Sequence, residues 1–181
     1  LSLTGYTCQD LFFQSALYDG VMEGVERILI CSRVHPNVTA VVGIPLFLDA
    51  EMYNCGAVIS GGVLRGLVPK TYIPNYNEFY EKRWFVSGAD LRQDTAVLPL
   101  PSGAIQAPIS SKDVFLLGDG AKLGVEICED LWTPVPPSSL LCLSGAEVIV
   151  NLSASNETIG KRAYRRELVR QQSAGTTSVY A

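Results

Sequence analysis

Cys128, Lys70 and the pair Ser153 and Ser155 are the residues whose types and settings could do chemistry. Cys128 ends the apolar run Lys122-Leu123-Gly124-Val125-Glu126-Ile127 and opens the acidic, aromatic turn Glu129-Asp130-Leu131-Trp132. A short run that stops at such a turn reads as a strand end delivering one thiol into a mouth lined by carboxylates and an indole. A thiol near neutral pH is a modest nucleophile, and a neighbouring cation or general base makes it effective by favouring the thiolate. A lone cysteine at a strand end is as often inert core filler. Glu129 and Asp130 weigh against the filler, because charged groups are not easily buried unpaired and the turn must therefore be wet or bind something.

Lys70 stands at the end of Gly66-Leu67-Val68-Pro69, where Pro69 stiffens the approach and Thr71-Tyr72-Ile73-Pro74 leads away. Most lysines in that position are solvated. An ammonium at a strand end beside a loop of Tyr and Asn can also stabilise an oxyanion or keep a thiolate charged. Asn151-Leu152-Ser153-Ala154-Ser155 is a third place where an apolar strand opens into small polar residues, suited to holding a carboxylate or an amide. In layered sheet folds such strand ends are where sites form.

The elements that must position these residues are legible in the periodicity. Residues 10–32 have helical spacing, with Leu17, Val21, Val25, Ile28 and Leu29 on one face. Residues 37–47 read as a buried strand with its exit at Gly43 and Pro45. Residues 53–60 and 63–69 form a strand pair around the turn Ser60-Gly61-Gly62. Residues 71–94, rich in Asn, Tyr and Gly, read as a long surface loop with room for a short helical piece. Strands follow at 97–100, 113–117 and 123–128, the last two joined by Gly118-Asp119-Gly120. A helix over 138–144, a buried strand over 148–152 and an amphipathic helix with a basic outer face over 161–173 complete the reading. Strands alternating with outer helices predict an α/β sandwich of layers.

Composition narrows the class of function. With 181 residues, 48% hydrophobic and 18% charged, the chain has apolar material for one sizeable core. A net charge of -4, with no basic stretch before residues 161–170, makes nucleic acid a poor partner and small-molecule chemistry the better expectation. Five widely spaced cysteines without a CxxC pair argue against a disulfide framework or zinc knuckle and fit a reducing cytoplasm. No apolar stretch is long enough for a membrane span.

Several separate segments carry a resemblance. They are Leu1-Ser2-Leu3-Thr4-Gly5-Tyr6, Leu67-Val68-Pro69-Lys70-Thr71-Tyr72-Ile73-Pro74-Asn75-Tyr76, Phe79-Tyr80-Glu81-Lys82-Arg83-Trp84-Phe85, Gly124-Val125-Glu126-Ile127-Cys128-Glu129-Asp130-Leu131-Trp132 and Asn151-Leu152-Ser153-Ala154-Ser155. In that order they resemble the nitrilase (carbon-nitrogen hydrolase) superfamily, and most closely the glutamine amidase branch found in bacterial glutamine-dependent NAD+ synthetases. The resemblance implies a nitrilase-like four-layer αββα sandwich, incomplete at both ends, in which residues 1–181 form the central part of one hydrolase domain. It implies a Glu-Lys-Cys triad that hydrolyses L-glutamine to glutamate and ammonia through a cysteine thioester.

By resemblance Cys128 is the nucleophile and Lys70 the oxyanion stabiliser, while the primary glutamate is expected immediately before Leu1. Glu81 matches a supporting glutamate near the lysine, and Glu129 is placed to hold the turn. Tyr76, Ser155 and Lys161 fall on substrate positions, with Lys161 equally readable as one more surface charge among Arg162, Arg165 and Arg166. No metal ligand is implied. The chain has neither a Ser-Gly-Gly-x-Asp-Ser loop nor a P-loop. The resemblance implies that ATP, Mg2+ and deamido-NAD+ belong to a covalently linked synthetase domain, and the 181 residues alone are expected to be inactive. A homo-oligomer is implied as well. The alternatives are another nitrilase-superfamily amidase or nitrilase, or a non-catalytic nitrilase-like fragment.

Overall fold

The computed structural model describes residues 1–181. A 3-10 turn over Gln9–Phe13 leads into α1 (Ser15–Arg33), whose Val21, Met22, Val25 and Leu29 are buried on one face. That face packs on a three-stranded antiparallel sheet of β1 (Thr39–Leu48), β2 (Glu51–Ser60) and β3 (Val63–Pro69). Strand periodicity decides what meets what. Cys55, Ala57 and Ile59 of β2 share one cluster with the α1 side chains, while Val58 packs on the opposite side with Val68, Leu123 and Val125. Each fully buried aliphatic side chain in these layers contributes about 1.5–3 kcal/mol relative to exposure.

The β2–β3 hairpin turns through Gly61 and Gly62, at φ 57° and 79°. Two successive left-handed residues are what a two-residue hairpin loop of native twist needs, and glycine adopts them without strain. β1 matches the strand predicted over residues 37–47, but Gly43 and Pro45 do not mark an exit; the strand runs unbroken through them to Leu48. The reason is its place at the sheet edge. The Ser2 and Leu3 amides donate to the Gly43 carbonyl at 2.7 and 3.2 Å, and the Gly43 amide donates to Ser2 Oγ at 2.9 Å. The N-terminal segment thus covers the open edge, and a Cβ at Gly43 would stand 2.1 Å from the Leu1 nitrogen. An edge strand also tolerates Pro45, which has no amide to offer a ladder.

Beyond β3 come a small hairpin of β4 (Asn75–Tyr76) and β5 (Phe79–Tyr80) and a 3-10 turn at Glu81–Arg83. The sequence placed all of 71–94 at the surface. Instead Glu81 and Phe85 are buried, and Phe85 joins Phe12 and Met52 in a small core with Trp84 and Ile73 at its rim. Polar composition misleads here because Glu81 enters the interior already paired.

β6 (Thr95–Leu100) and β7 (Gly103–Pro108) form a further hairpin, with β7 touching β3. The sequence did not predict β7. Its outward residues are small or polar, and only Ile105 and Ala107 turn inward, so the alternation is faint. The second main sheet consists of β8 (Phe115–Leu116), β9 (Lys122–Glu126), β10 (Val148–Asn151) and β11 (Val179–Tyr180), in the order β11-β10-β9-β8. α2 (Pro137–Leu143) packs Leu141 against Ile149 on the outer face, its proline in the first turn where no amide partner is lost. α3 (Lys161–Thr176) reaches α2 through Gln172, which donates to Ser138 Oγ and Ser139 Oγ, and buries no side chain fully.

The layers are therefore α1, first sheet, second sheet, and α2 with α3. This is the four-layer αββα sandwich that the resemblance implies. Val58 and Val68 from one sheet, with Phe115, Leu123 and Val125 from the other, form the seam between sheets. The exits of β3, β9 and β10 converge at one end of that seam.

Candidate active site

Lys70 leaves β3 into the interior. Its side chain is 1% exposed, and Nζ donates to Glu81 Oε1 at 2.8 Å and Oε2 at 2.7 Å. Tyr6 Oη donates to the same Glu81 Oε1 at 2.8 Å. Burial first, then the Glu81 charge and the hydrogen bond to it, raise the Tyr6 phenol far above its usual range, so it remains a donor. The Glu81 carboxylate holds Lys70 with both oxygens and Tyr6 with one. Glu81 is thus suited to fixing the ammonium.

Cys128 does not lie within a strand. β9 stops at Glu126, Ile127 is the last extended residue, and Cys128 begins a 3-10 turn over Cys128–Trp132. Its φ is 50°, the left-handed region that a non-glycine side chain enters at a cost of about 1–2 kcal/mol. Such a turn lifts the side chain off the strand end, leaving the thiol half-buried. Asn151 Oδ1, on neighbouring β10, accepts from the Cys128 amide at 2.8 Å.

Asp130 brings the two strand ends together. It is 1% exposed, and its Oδ1 accepts from the Tyr72 amide at 2.8 Å while its Oδ2 accepts from the Ile127 amide at 2.9 Å. Tyr72 lies two residues beyond Lys70 and Ile127 one residue before Cys128, so a single side chain ties the lysine loop to the cysteine turn. Burial pushes the Asp130 carboxyl up to about 7, although both amides act in the opposite direction.

The remaining predicted residues divide. Tyr76 Oη donates to both Glu129 oxygens, at 2.8 and 2.9 Å, and its ring meets Phe79 edge-on at 5.8 Å. Burial and the Glu129 contact push the Tyr76 phenol up to about 12. Lys161 Nζ sits 5.0 Å from the Trp132 ring centroid and 5.9 Å from that of Phe79, with Asn156 Oδ1 as acceptor. Ser155 is half-buried in the loop before α3 and makes only a long bond to the Asn156 carbonyl. Ser153 and Ala154, rather than Ser155, line a cleft of about 250 Å³ with Leu1, Ser2, Tyr6 and Asn151.

The Leu1 nitrogen is largely buried and lies near Lys70, Glu81 and Cys128. A larger cleft of about 520 Å³, lined by Glu26, Arg33 and Gly62 among others, shares no residue with this centre. No three His, Cys, Asp or Glu side chains are grouped so as to hold a metal ion, and no helix is long and apolar enough to cross a membrane.

Sequence reasoning singled out neither Tyr6, Asp130, Glu126 nor Asn151 for the roles their contacts show. Acidic residues flanking a cysteine were the available signal for Asp130 and Glu126. Nothing local distinguishes the buried Asp130 from the more exposed Glu129.

The centre can do acyl transfer. It has a thiol on a strained turn, an immobilised ammonium and a 3-10 turn that opens at the nucleophile. Comparison with known proteins gives the family. The glutamine-dependent NAD(+) synthetase of Mycobacterium leprae is 38% identical over 182 residues, an alignment covering 99% of this chain and 26% of that protein. The mouse glutamine-dependent NAD(+) synthetase is 30% identical over 99% of this chain and 25% of its own length. The chain thus spans about a quarter of the curated relatives it matches. Among solved structures, the glutamine-dependent NAD(+) synthetase from Cytophaga hutchinsonii superposes with a TM-score of 0.78 at 27% identity, over 98% of this chain and 27% of that one. An amidase of the nitrilase superfamily from Nesterenkonia shares the fold at 14% identity and a TM-score of 0.68, over 98% of this chain and 57% of that one. The carbon-nitrogen hydrolase family matches residues 1–181, and the chain belongs to that family.

Proposed function

We propose that this chain is the glutamine-hydrolysing portion of a glutamine-dependent NAD+ synthetase. The observation that carries the chemistry is the buried Lys70–Glu81 pair, locked by Tyr6 and tied through Asp130 to the left-handed turn of Cys128. The names of the relatives supply the substrate class.

In this reading the Cys128 thiolate attacks the side-chain amide carbon of L-glutamine. Charge develops on the carbonyl oxygen, where Lys70 Nζ and the Glu129 amide are the donors. Collapse of the tetrahedral adduct breaks the carbon–nitrogen bond and releases ammonia, leaving a glutamyl thioester. Water then attacks the thioester carbon, giving glutamate and the free thiol. Glu81 holds Lys70 in place; the general base is the glutamate that the resemblance puts immediately before Leu1, which takes the Cys128 thiol proton and gives it to the departing amine, then takes a proton from the attacking water and returns it to the Cys128 sulfur. The position of the Leu1 nitrogen, buried near Lys70, Glu81 and Cys128, supports that placement. Tyr76, Ser155 and Lys161 are proposed to meet the amino-acid end of glutamine, Lys161 as partner of the α-carboxylate.

The ammonia would be consumed by a linked domain that amidates deamido-NAD+ with ATP and Mg2+. Five cysteines with no disulfide among them support a cytoplasmic setting, and a homo-oligomer is part of the same reading. The test is glutaminase activity of the intact protein, with and without ATP and deamido-NAD+, beside a Cys128→Ala variant. Glutamine-dependent NAD+ formation lost in the variant, with ammonia-dependent formation kept, supports the proposal. Hydrolysis of other amides or nitriles in preference to glutamine would move the chain to another branch of the family.

A further inference from the structure

Behind Cys128 lies a buried polar cluster that the chemistry above does not use. Glu126, the last residue of β9, is 1% exposed although it carries a carboxylate. Its Oε2 accepts from the Ser138 amide in the first turn of α2 at 2.8 Å. Its Oε1 accepts from Asn151 Nδ2 at 3.2 Å and from the Tyr180 hydroxyl of β11. Asn151 Nδ2 also donates to Tyr180 Oη at 3.0 Å. Burial, and then the charge of Glu126, hold the Tyr180 phenol far above its usual range, so the hydroxyl stays a donor to Glu126. With both amide hydrogens engaged, the Asn151 carboxamide has one orientation. Its Oδ1 faces the Cys128 amide at 2.8 Å.

Four elements thus converge on one backbone amide. β9 and β10 run parallel with Glu126 opposite Asn151, and Tyr180 comes from β11 next to β10. A nucleophile held at φ 50° needs such a restraint, because the left-handed region is not a minimum that a cysteine side chain prefers. The same bond takes the Cys128 amide out of service as an oxyanion donor and leaves the Glu129 amide for that task.

We propose that Glu126, Asn151 and Tyr180 form a positioning network that fixes the Cys128 turn in its reactive conformation through the hydrogen bond from the Cys128 amide to Asn151. None of the three touches the substrate in this scheme. The inference rests on the acyl-transfer reading for its effect on turnover, but the placement of the thiol can be measured without it.

The test uses the intact protein with Tyr180→Phe, which removes the hydroxyl and little else, and Asn151→Ala, which removes the bridge. Second-order alkylation of Cys128 by iodoacetamide, mapped by peptide mass, is measured beside kcat and KM for glutamine. Because displacing a reacting group by about 1 Å costs on the order of 100-fold, kcat is expected to fall about tenfold in Tyr180→Phe and about 100-fold in Asn151→Ala, with KM within about twofold. Cys128 alkylation is expected to fall in the same order, and ammonia-dependent NAD+ formation to stay at the wild-type level, separating local misplacement from misfolding. Alkylation and kcat both within twofold of wild type in both variants overturn the network. If the wild-type protein hydrolyses no glutamine, the acyl-transfer reading fails; the alkylation rates of the two variants then decide the positioning proposal alone.

Discussion

Cutting the Lys70–Glu81 pair from either side should not cost the same. Nζ stands 2.7 and 2.8 Å from the two Glu81 oxygens, with both side chains 1% exposed. At an effective dielectric near 20, that separation corresponds to about 6 kcal/mol of attraction, largely offset by the cost of taking both charges out of water. Removing one partner forfeits the attraction and leaves the other ion buried, so each single variant should lose about 3–5 kcal/mol. The partners left behind differ. In Lys70→Met, Glu81 keeps the Tyr6 hydrogen bond; in Glu81→Leu, Lys70 loses both acceptors and the Tyr6 hydroxyl loses its own. Glu81→Leu should therefore be the worse variant, by about 1 kcal/mol for the extra orphaned donor. The double variant Lys70→Met/Glu81→Leu removes both charges and should recover to within about 1–2 kcal/mol of wild type, while glutaminase activity stays absent in all three. Urea unfolding of the four proteins gives the double-mutant cycle. Additive losses, or single variants within about 1 kcal/mol of wild type, would refute the claim that the pair is a buried, mutually dependent unit.

Three further outcomes follow from other contacts. Asp130 is raised from 3.8 to about 7 in the fold, so its contribution is fully present below pH 3.8 and is lost as pH rises through about 7. The stability of wild type relative to Asp130→Asn should fall across that window by up to about 4 kcal/mol; a flat or rising difference in paired urea titrations would contradict the assignment. Cys128→Gly should abolish glutamine hydrolysis yet be about 1 kcal/mol more stable than Cys128→Ala, since glycine relieves φ 50°, and equal thermal midpoints would count against a strained turn. Gly43→Val should dislodge the Leu1–Leu3 segment from the edge of β1, because even a Cβ there lies 2.1 Å from the Leu1 nitrogen. Faster amide exchange at residues 2 and 3, with the α1 core unchanged, is the expected signature.

Much of this was legible before any coordinates. The face of α1, the glycine turn between β2 and β3, and the strand ends carrying Lys70 and Cys128 follow from local periodicity and turn chemistry, which act over a few residues. The boundaries that failed did so for a common reason. Gly43 looks like a strand exit because its neighbours at the sheet edge are residues 2 and 3, forty positions away. Residues 71–94 look like a solvated loop because nothing local says that Glu81 meets a lysine and a tyrosine inside. β7 was missed because its outward side chains are too small to show alternation.

What the sequence determined by itself is where most of the helices and strands run and which strand ends carry the candidate groups Lys70 and Cys128, since side-chain chemistry and hydrophobic period are properties of short stretches. What only the tertiary structure decided is which carboxylate does what. Glu81 pairs with Lys70, Asp130 clamps two loops, Glu126 anchors the residue behind the nucleophile, and Glu129 holds Tyr76 at the rim. Four acids of nearly the same chemistry are sorted by depth of burial and by the donors that face them. Those donors come from segments far apart in the chain, so no local pattern contains the answer.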